Sequence, residues 1–323
     1  MSVLGITFRV LCVVVLFSAC AEEAEESETP DTTYAQSEEA SYASGRSSVK
    51  APQLSLTDIT EQSGIDFLHE NGAVGDKWMP ETMGSGCALF DYDEDGDLDV
   101  LLVNGQSWDG KGNTRTRLYE NGGKADFTDV TERAGLDINV YGMGANVADY
   151  DADGDLDIFV TALGPNVLLR NDAGRFVDVA KLAGVLGERW LDDQGRSNDE
   201  WSTSALWFDV DGDGWLDLLV TNYIRWSIET DIYTSLDGNN KSYATPQQYP
   251  GSTPRLYRNQ GDGTFVEITE EAGLLLPDGK SMGVAMTDFE GNGLIDLVVT
   301  NDTQPNFLLR NLGDGRFAER GLM

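Results

Sequence analysis

Nine residues recur four times along this chain, and the recurrence limits its fold more than any other feature. DYDEDGDLD occupies Asp91–Asp99, DYDADGDLD Asp149–Asp157, DVDGDGWLD Asp209–Asp217 and DFEGNGLID Asp288–Asp296. The starts lie roughly 60 residues apart twice and then roughly 80, and an insertion over residues 225–253 accounts for the longer interval. Self-similarity at a fixed period means stacked units, none of which can bury its own faces alone.

Each acidic stretch is followed by a short apolar run: VLLVN, IFVTA, LLVTN or LVVTN. Length and β-branched content suit a buried strand. Small-residue runs precede the acidic stretches (GSGCALF, GMGANVA, STSALWF, MGVAMT), and Asn/Gly-punctuated hairpins follow, as in RLYENGGKADFTDVT and VLLRNDAGRFVDVA. Each unit therefore offers about four strands. Four short antiparallel strands repeated at a fixed period describe a blade of a β-propeller, whereas a two-sheet sandwich does not demand such repetition. Leu54–Ile65, LSLTDITEQSGI, reads as the outer strand of a preceding unit.

Six carboxylates within nine residues repel one another unless a cation neutralises them. Ca²⁺ takes six to eight hard oxygen ligands in flexible geometry. Alternate acidic side chains at positions 1, 3 and 5 of a tight turn can converge on it, with the carbonyl of position 7 and the carboxylate of position 9 closing the cage. The candidate ligands are Asp91, Asp93, Asp95, Asp97 and Asp99; Asp149, Asp151, Asp153, Asp155 and Asp157; Asp209, Asp211, Asp213, Trp215 and Asp217; and Asp288, Glu290, Asn292, Leu294 and Asp296. The fourth set carries less charge, so three to four ions are expected. An EF-hand would need Glu at position 12, where Leu102, Val160, Val220 and Val299 stand instead. Mg²⁺ prefers stricter octahedral geometry.

The formal charge of −34, from 22 basic and 56 acidic side chains, argues against nucleic acid as a partner. Residues 1–19 read as an export signal with Arg9 ahead of a short apolar run. Its ending, FSAC, resembles a bacterial lipoprotein box, which implies lipidation of Cys20, membrane attachment through that lipid alone, and the outer membrane or cell surface; a periplasmic or secreted protein is the alternative. Residues 20–52 are rich in Glu, Ser, Ala and Thr and read as an acidic disordered linker. The remaining 53–323 are assigned to the propeller. Cys87 aligns with Ala145, Ala205 and Val284, so a small buried strand residue is expected there.

The loops and their flanking strands resemble FG-GAP or VCBS repeats, the calcium-bearing blades also found in integrin α-subunits. HENGAVGDKWMPETMGSGCALFDYDEDGDLDVLLVNG and the insertion NYIRWSIETDIYTSLDGNNKSYATPQQYPGSTPRLYRNQGDGTF are similar to bacterial proteins of the ASPIC/UnbV family, related to cartilage acidic protein. The resemblance implies an all-β propeller of about seven blades, of which four to five are expected here, on a C-terminally truncated sequence. A propeller of fewer blades or assembly from two chains are the alternatives. Family members often carry cysteines in the insertion, where this chain has residues such as Thr234 and Ala244, so its loop must be held without a disulfide.

His69 is the only histidine, so no histidine-rich zinc site is available and no catalytic constellation stands out. The reading is an exported calcium-binding propeller that serves as a binding or adhesion module for protein or polysaccharide. The competing reading is a calcium-dependent carbohydrate-active enzyme. Trp207 is expected in the core, and Trp190, Trp201 and Trp226 with Tyr233, Tyr243 and Tyr249 form a candidate binding face.

Overall fold

A computed structural model of the chain describes residues 55–109 and 115–321. The export signal, Cys20 and the acidic linker lie outside them. Four antiparallel sheets of four strands follow the four repeats. The first is β1 (Cys87–Phe90), β2 (Asp99–Leu102), β3 (Arg117–Asn121) and β4 (Phe127–Asp129). The second is β5 (Tyr141–Ala148), β6 (Asp157–Leu163), β7 (Val167–Asn171) and β8 (Phe176–Asp178). A two-stranded hairpin, β9 (Arg189–Leu191) and β10 (Ser197–Asp199), precedes the third sheet. That sheet is β11 (Ser202–Phe208), β12 (Asp217–Asn222), β13 (Arg255–Asn259) and β14 (Phe265–Glu267). The fourth is β15 (Ser281–Thr287), β16 (Asp296–Asn301), β17 (Phe307–Asn311) and β18 (Phe317–Glu319).

Within each sheet the strands pair in chain order, and each acidic nonapeptide is the turn between the first and second strands. The second strand is apolar on both sides because it is covered on both faces. Leu101 and Phe159 face the following sheet, while Ile158 and Val160 face the preceding one. Three apolar layers result. Phe90, Tyr92, Leu101 and Leu118 meet Ile158, Val160 and Leu169 between the first two sheets. Tyr150, Phe159 and Leu168 meet Trp207, Leu218 and Tyr257 in the next, and Phe208, Leu219 and Leu256 meet Leu297, Val299 and Leu309 in the third. Each fully buried side chain of this size contributes about 1.5–3 kcal/mol.

The first strands of consecutive sheets lie side by side, so their starts must be small. Gly86 N–H donates to the carbonyl of Met143 at 2.7 Å, and a Cβ on Gly86 would lie 2.9 Å from Gly144 Cα. Thr203 continues the row, accepting from Thr161 Oγ1 at 3.1 Å and donating to the Ser281 carbonyl at 2.7 Å.

The stretch after each outer strand docks on the next sheet. Phe176 N–H donates to Ala134 O and Phe317 N–H to Ala272 O, both at 2.8 Å. Phe127 N–H donates in the same way to Ser63 O at 2.7 Å, and Ile65 and Phe67 pack on Val100, Leu102 and Tyr119. Residues 63–67 thus fill the place of a preceding unit's tail, but the outer strand expected within 54–65 is not formed by residues 55–59.

The insertion is held, without a disulfide, by one buried carboxylate. Asp231 accepts from Trp226 Nε1 at 2.8 Å and Tyr249 OH at 3.1 Å, and pairs with Lys241 Nζ at 2.6 Å.

At the two ends of the row the pattern of burial stops. Leu89 is 60% exposed although its counterpart Trp207 is buried, and Phe289 is 42% exposed although its counterparts Tyr92 and Tyr150 are buried. Cys87 is likewise exposed, correcting the expectation of a buried residue. Its equivalents are covered by a preceding sheet, whereas among the described residues no sheet precedes the first. No helix among the described residues is long and apolar enough to cross a membrane.

Candidate cation-binding loops

The loops fold by using their own carboxylates as acceptors. Asp91 Oδ1 and Oδ2 take the N–H groups of Asp95 (3.1 Å) and Gly96 (2.9 Å), and Asp149, Asp209 and Asp288 do the same in the other loops. Position 6 is glycine in all four loops and adopts φ between 83° and 104°, a backbone state that glycine enters without strain.

Position 9, at the start of the second strand, ties the loop to the third strand. Asp157 Oδ2 accepts from Tyr150 N–H at 3.1 Å and Oδ1 from Asn171 N–H at 2.8 Å, and Asp99, Asp217 and Asp296 make the corresponding pairs. These carboxylates are fully buried at the start of the second strand.

Positions 1, 3 and 9 come together in three loops. Oxygens of Asp91, Asp93 and Asp99, of Asp149, Asp151 and Asp157, and of Asp209, Asp211 and Asp217 lie within 4.8 Å of one another. Three like charges at that distance repel by about 3 kcal/mol per pair at an effective dielectric of about 20. Burial pushes Asp157 up to about 7 and Asp217 up to about 6, against the pull of the backbone N–H groups, and neighbouring aspartates add to the rise. Asp99 and Asp151 are raised for the same leading reason. Asp151 Oδ1 is shielded from solvent and meets no hydrogen-bond donor. Hard oxygens with surplus negative charge, and in the second loop an oxygen without a donor, make these clusters able to hold a metal ion.

The other candidates are placed differently. Asp95, Asp153 and Asp213 at position 5 stand outside the triads, each accepting the N–H two residues on at 2.9 Å. At position 7, the side chain of Asp155 accepts from Ala173 N–H at 2.7 Å, the carboxylate of Asp97 lies near Gly123, and the Trp215 indole lies against Gly261. In the fourth loop Glu290 is drawn aside to Arg310 Nε at 2.7 Å, so Asp288, Glu290 and Asp296 form no such cluster; Asn292 accepts from Leu294 N–H at 2.8 Å.

The aromatic face expected from the sequence is mostly core. Trp201, Trp226 and Tyr249 are buried in a cluster with Tyr141, Met143 and Tyr223, where Trp201 meets Tyr223 edge-on at 5.2 Å. These aromatics wedge the insertion against the starts of the first strands. Trp190, Tyr233 and Tyr243 keep partial or full exposure. Trp207 is buried, as its strand position requires. The β9–β10 hairpin was not read from the sequence, although RWLDDQGRSND carries a Gly-containing turn between short polar strands.

Comparison with known proteins places these loops in context. Cartilage acidic protein 1 of Xenopus tropicalis is 26% identical over 190 residues, covering 57% of this chain and 24% of that protein. The Mus musculus protein of the same name is 25% identical over 194 residues with the same coverage. The chain thus spans about a quarter of the length of these relatives. A solved lectin from Agrocybe aegerita, described as recognising non-reducing terminal N-acetylglucosamine, aligns at TM-score 0.38 and 17% identity over 75% of this chain and 53% of that one. The FG-GAP-like repeat family matches residues 91–160, 149–220 and 231–299, each match opening on or leading into an acidic loop. With four-stranded sheets in series and the acidic turn in the same place in each, the chain belongs to the FG-GAP-like repeat family of β-propeller proteins.

Proposed function

We propose that the chain is an exported binding module whose blades are stabilised by calcium. One observation carries this reading: in three loops the carboxylates of positions 1, 3 and 9 converge, and in the second a buried oxygen of Asp151 lacks a donor. Calcium would supply the missing positive charge. Asp91, Asp93 and Asp99, Asp149, Asp151 and Asp157, and Asp209, Asp211 and Asp217 would hold it. In the fourth loop Glu290 already pairs with Arg310 and no such cluster forms, so that loop depends least on an ion.

The chain would present ligand-binding loops from this stiffened scaffold, attached to a membrane through lipid on Cys20. A catalytic role is less favoured. His69 Nε2 lies 3.0 Å from Ser85 Oγ, and burial pushes its pKa down, so it serves as a neutral structural group. Glycan and protein arrays probed in calcium and in chelator, beside an assay for cleaved product, test the proposal. Calcium-dependent binding without turnover is the expected result, and calcium-dependent cleavage would establish the enzyme instead.

A further inference from the structure

A cleft of about 370 Å³ separates the β9–β10 hairpin from the insertion. That volume lies in the range of small-ligand sites. Trp190 and Leu191 of the hairpin form one wall, and Ile232 and Tyr249 of the insertion form the other. The hairpin is tied to the insertion through Arg196, whose guanidinium reaches the Glu229 carbonyl at 3.4 Å.

Arg225 lines this cleft without an acceptor. Its Nε is shielded from solvent and makes no hydrogen bond, and its guanidinium enters no ion pair among the described residues. The contrast with its neighbours is chemical. Arg196 in the same cleft is held by Asp192 at 2.6 Å, and the half-buried Arg255 is held by Glu200 at 2.6 Å. In a chain with 56 acidic and 22 basic side chains carboxylates are abundant, yet none among the described residues pairs with Arg225. A shielded guanidinium N–H without a partner is costly, and a planar fork of donors suits a carboxylate.

Asp193 and Glu229 also line the cleft, and among the described residues their carboxylates make no hydrogen bond or ion pair. They oppose a bare anion but are strong acceptors for hydroxyl groups. Gln194 adds a side-chain amide without a partner among the described residues, and the ring of Trp190 offers a partly exposed apolar face. One ligand type satisfies all of these at once: a polyhydroxylated ring that carries a single carboxylate.

We propose that the cleft between the β9–β10 hairpin and the insertion binds a sugar acid of the uronate type. Its carboxylate pairs with Arg225, its hydroxyls donate to Asp193 and Glu229, and its ring lies on Trp190. This assignment rests on the reading of the chain as a binding module, but not on the acidic loops, which belong to other turns.

The test is calorimetric titration of the full chain in calcium with methyl glucuronide, methyl galacturonide, methyl glucoside and acetate. Uronide binding at least tenfold tighter than either the neutral sugar or acetate is expected. Arg225→Gln should weaken the uronide at least tenfold, Arg225→Lys should weaken it less, and Trp190→Ala should weaken the uronide and the neutral sugar alike. Unchanged melting and calcium stoichiometry in the Arg225 variants would show that the fold and loops are intact. Equal binding of uronide and glucoside, an unaffected Arg225→Gln variant, or no uronide binding at millimolar concentration would overturn the proposal. If uronide bound while the loops took no calcium, the cleft assignment would stand and the calcium reading would fall.

Discussion

Removing the carboxylate of Asp157 separates its role in tying strands from any role in holding an ion. Asp157 is fully buried and accepts two backbone N–H groups, from Tyr150 at 3.1 Å and Asn171 at 2.8 Å. In chelator, Asp157→Ala deletes both bonds and strands two donors in a dry site. Each buried N–H left without a partner costs about 1–3 kcal/mol, so the expected loss is about 2–6 kcal/mol. At about 2–4 °C per kcal/mol for a body of this size, Tm falls by on the order of 10 °C. The melt should be run at about pH 6, because burial raises the Asp157 pKa to about 7 and below it the carboxyl is neutral, so the loss reports the two bonds without the offsetting relief of a buried charge. Asp153→Ala is the control. Its carboxylate makes one exposed bond, to Asp155 N–H at 2.9 Å, and its loss should cost under about 1 kcal/mol. Scanning calorimetry of both variants in chelator decides the matter. Equal melting temperatures would refute the claim that position 9 pins the loop to its strands.

Three further outcomes follow from the same contacts. Gly144→Val places a Cβ 2.9 Å from Thr203 O and 3.0 Å from Thr161 Oγ1, so denaturant unfolding should show a loss of about 1–3 kcal/mol, and an unchanged midpoint would contradict the close packing of first strands. Trp226→Ala should lose about 3–5 kcal/mol because the ring is buried and bound to Asp231, whereas Tyr233→Ala, 65% exposed, should stay within about 0.5 kcal/mol in the same assay. Burial lowers the His69 pKa below its ordinary 6.5, so the unfolded chain takes the proton first. That contribution is complete above about pH 6.5 and declines as pH falls below it; the stability gap between the wild type and His69→Asn should shrink from about pH 7 to about pH 5, and a constant gap would show that His69 does not titrate differently on folding.

The repeated nonapeptide made the sheets legible because period and strand pattern agree. Each DxDxDG turn falls between a small-residue strand and an apolar one, and the four sheets form at those places. Positions 1, 3 and 9 converge because alternate side chains of a tight turn share a side, and position 9 re-enters at the strand. Position 5 does not join them, since its carboxylate caps the N–H two residues on, a local competition that spacing alone does not reveal. Cys87 and the aromatic residues were harder to read for a different reason. Burial of Cys87 depends on whether another sheet lies beside it, and Trp201 and Trp226 pack against partners distant in sequence, so neither is encoded in local periodicity.

Calcium stoichiometry measured together with thermal stability on the full chain tests the central claim most directly. An ion held only by the folded state stabilises it by mass action, about 2.7 kcal/mol per site at a free concentration one hundred times Kd. Three tight sites, a weaker or absent fourth, and a large fall in Tm on chelation are predicted. Titration showing no bound calcium, or bound calcium that leaves Tm unchanged, would contradict the account of the acidic loops as structural cages.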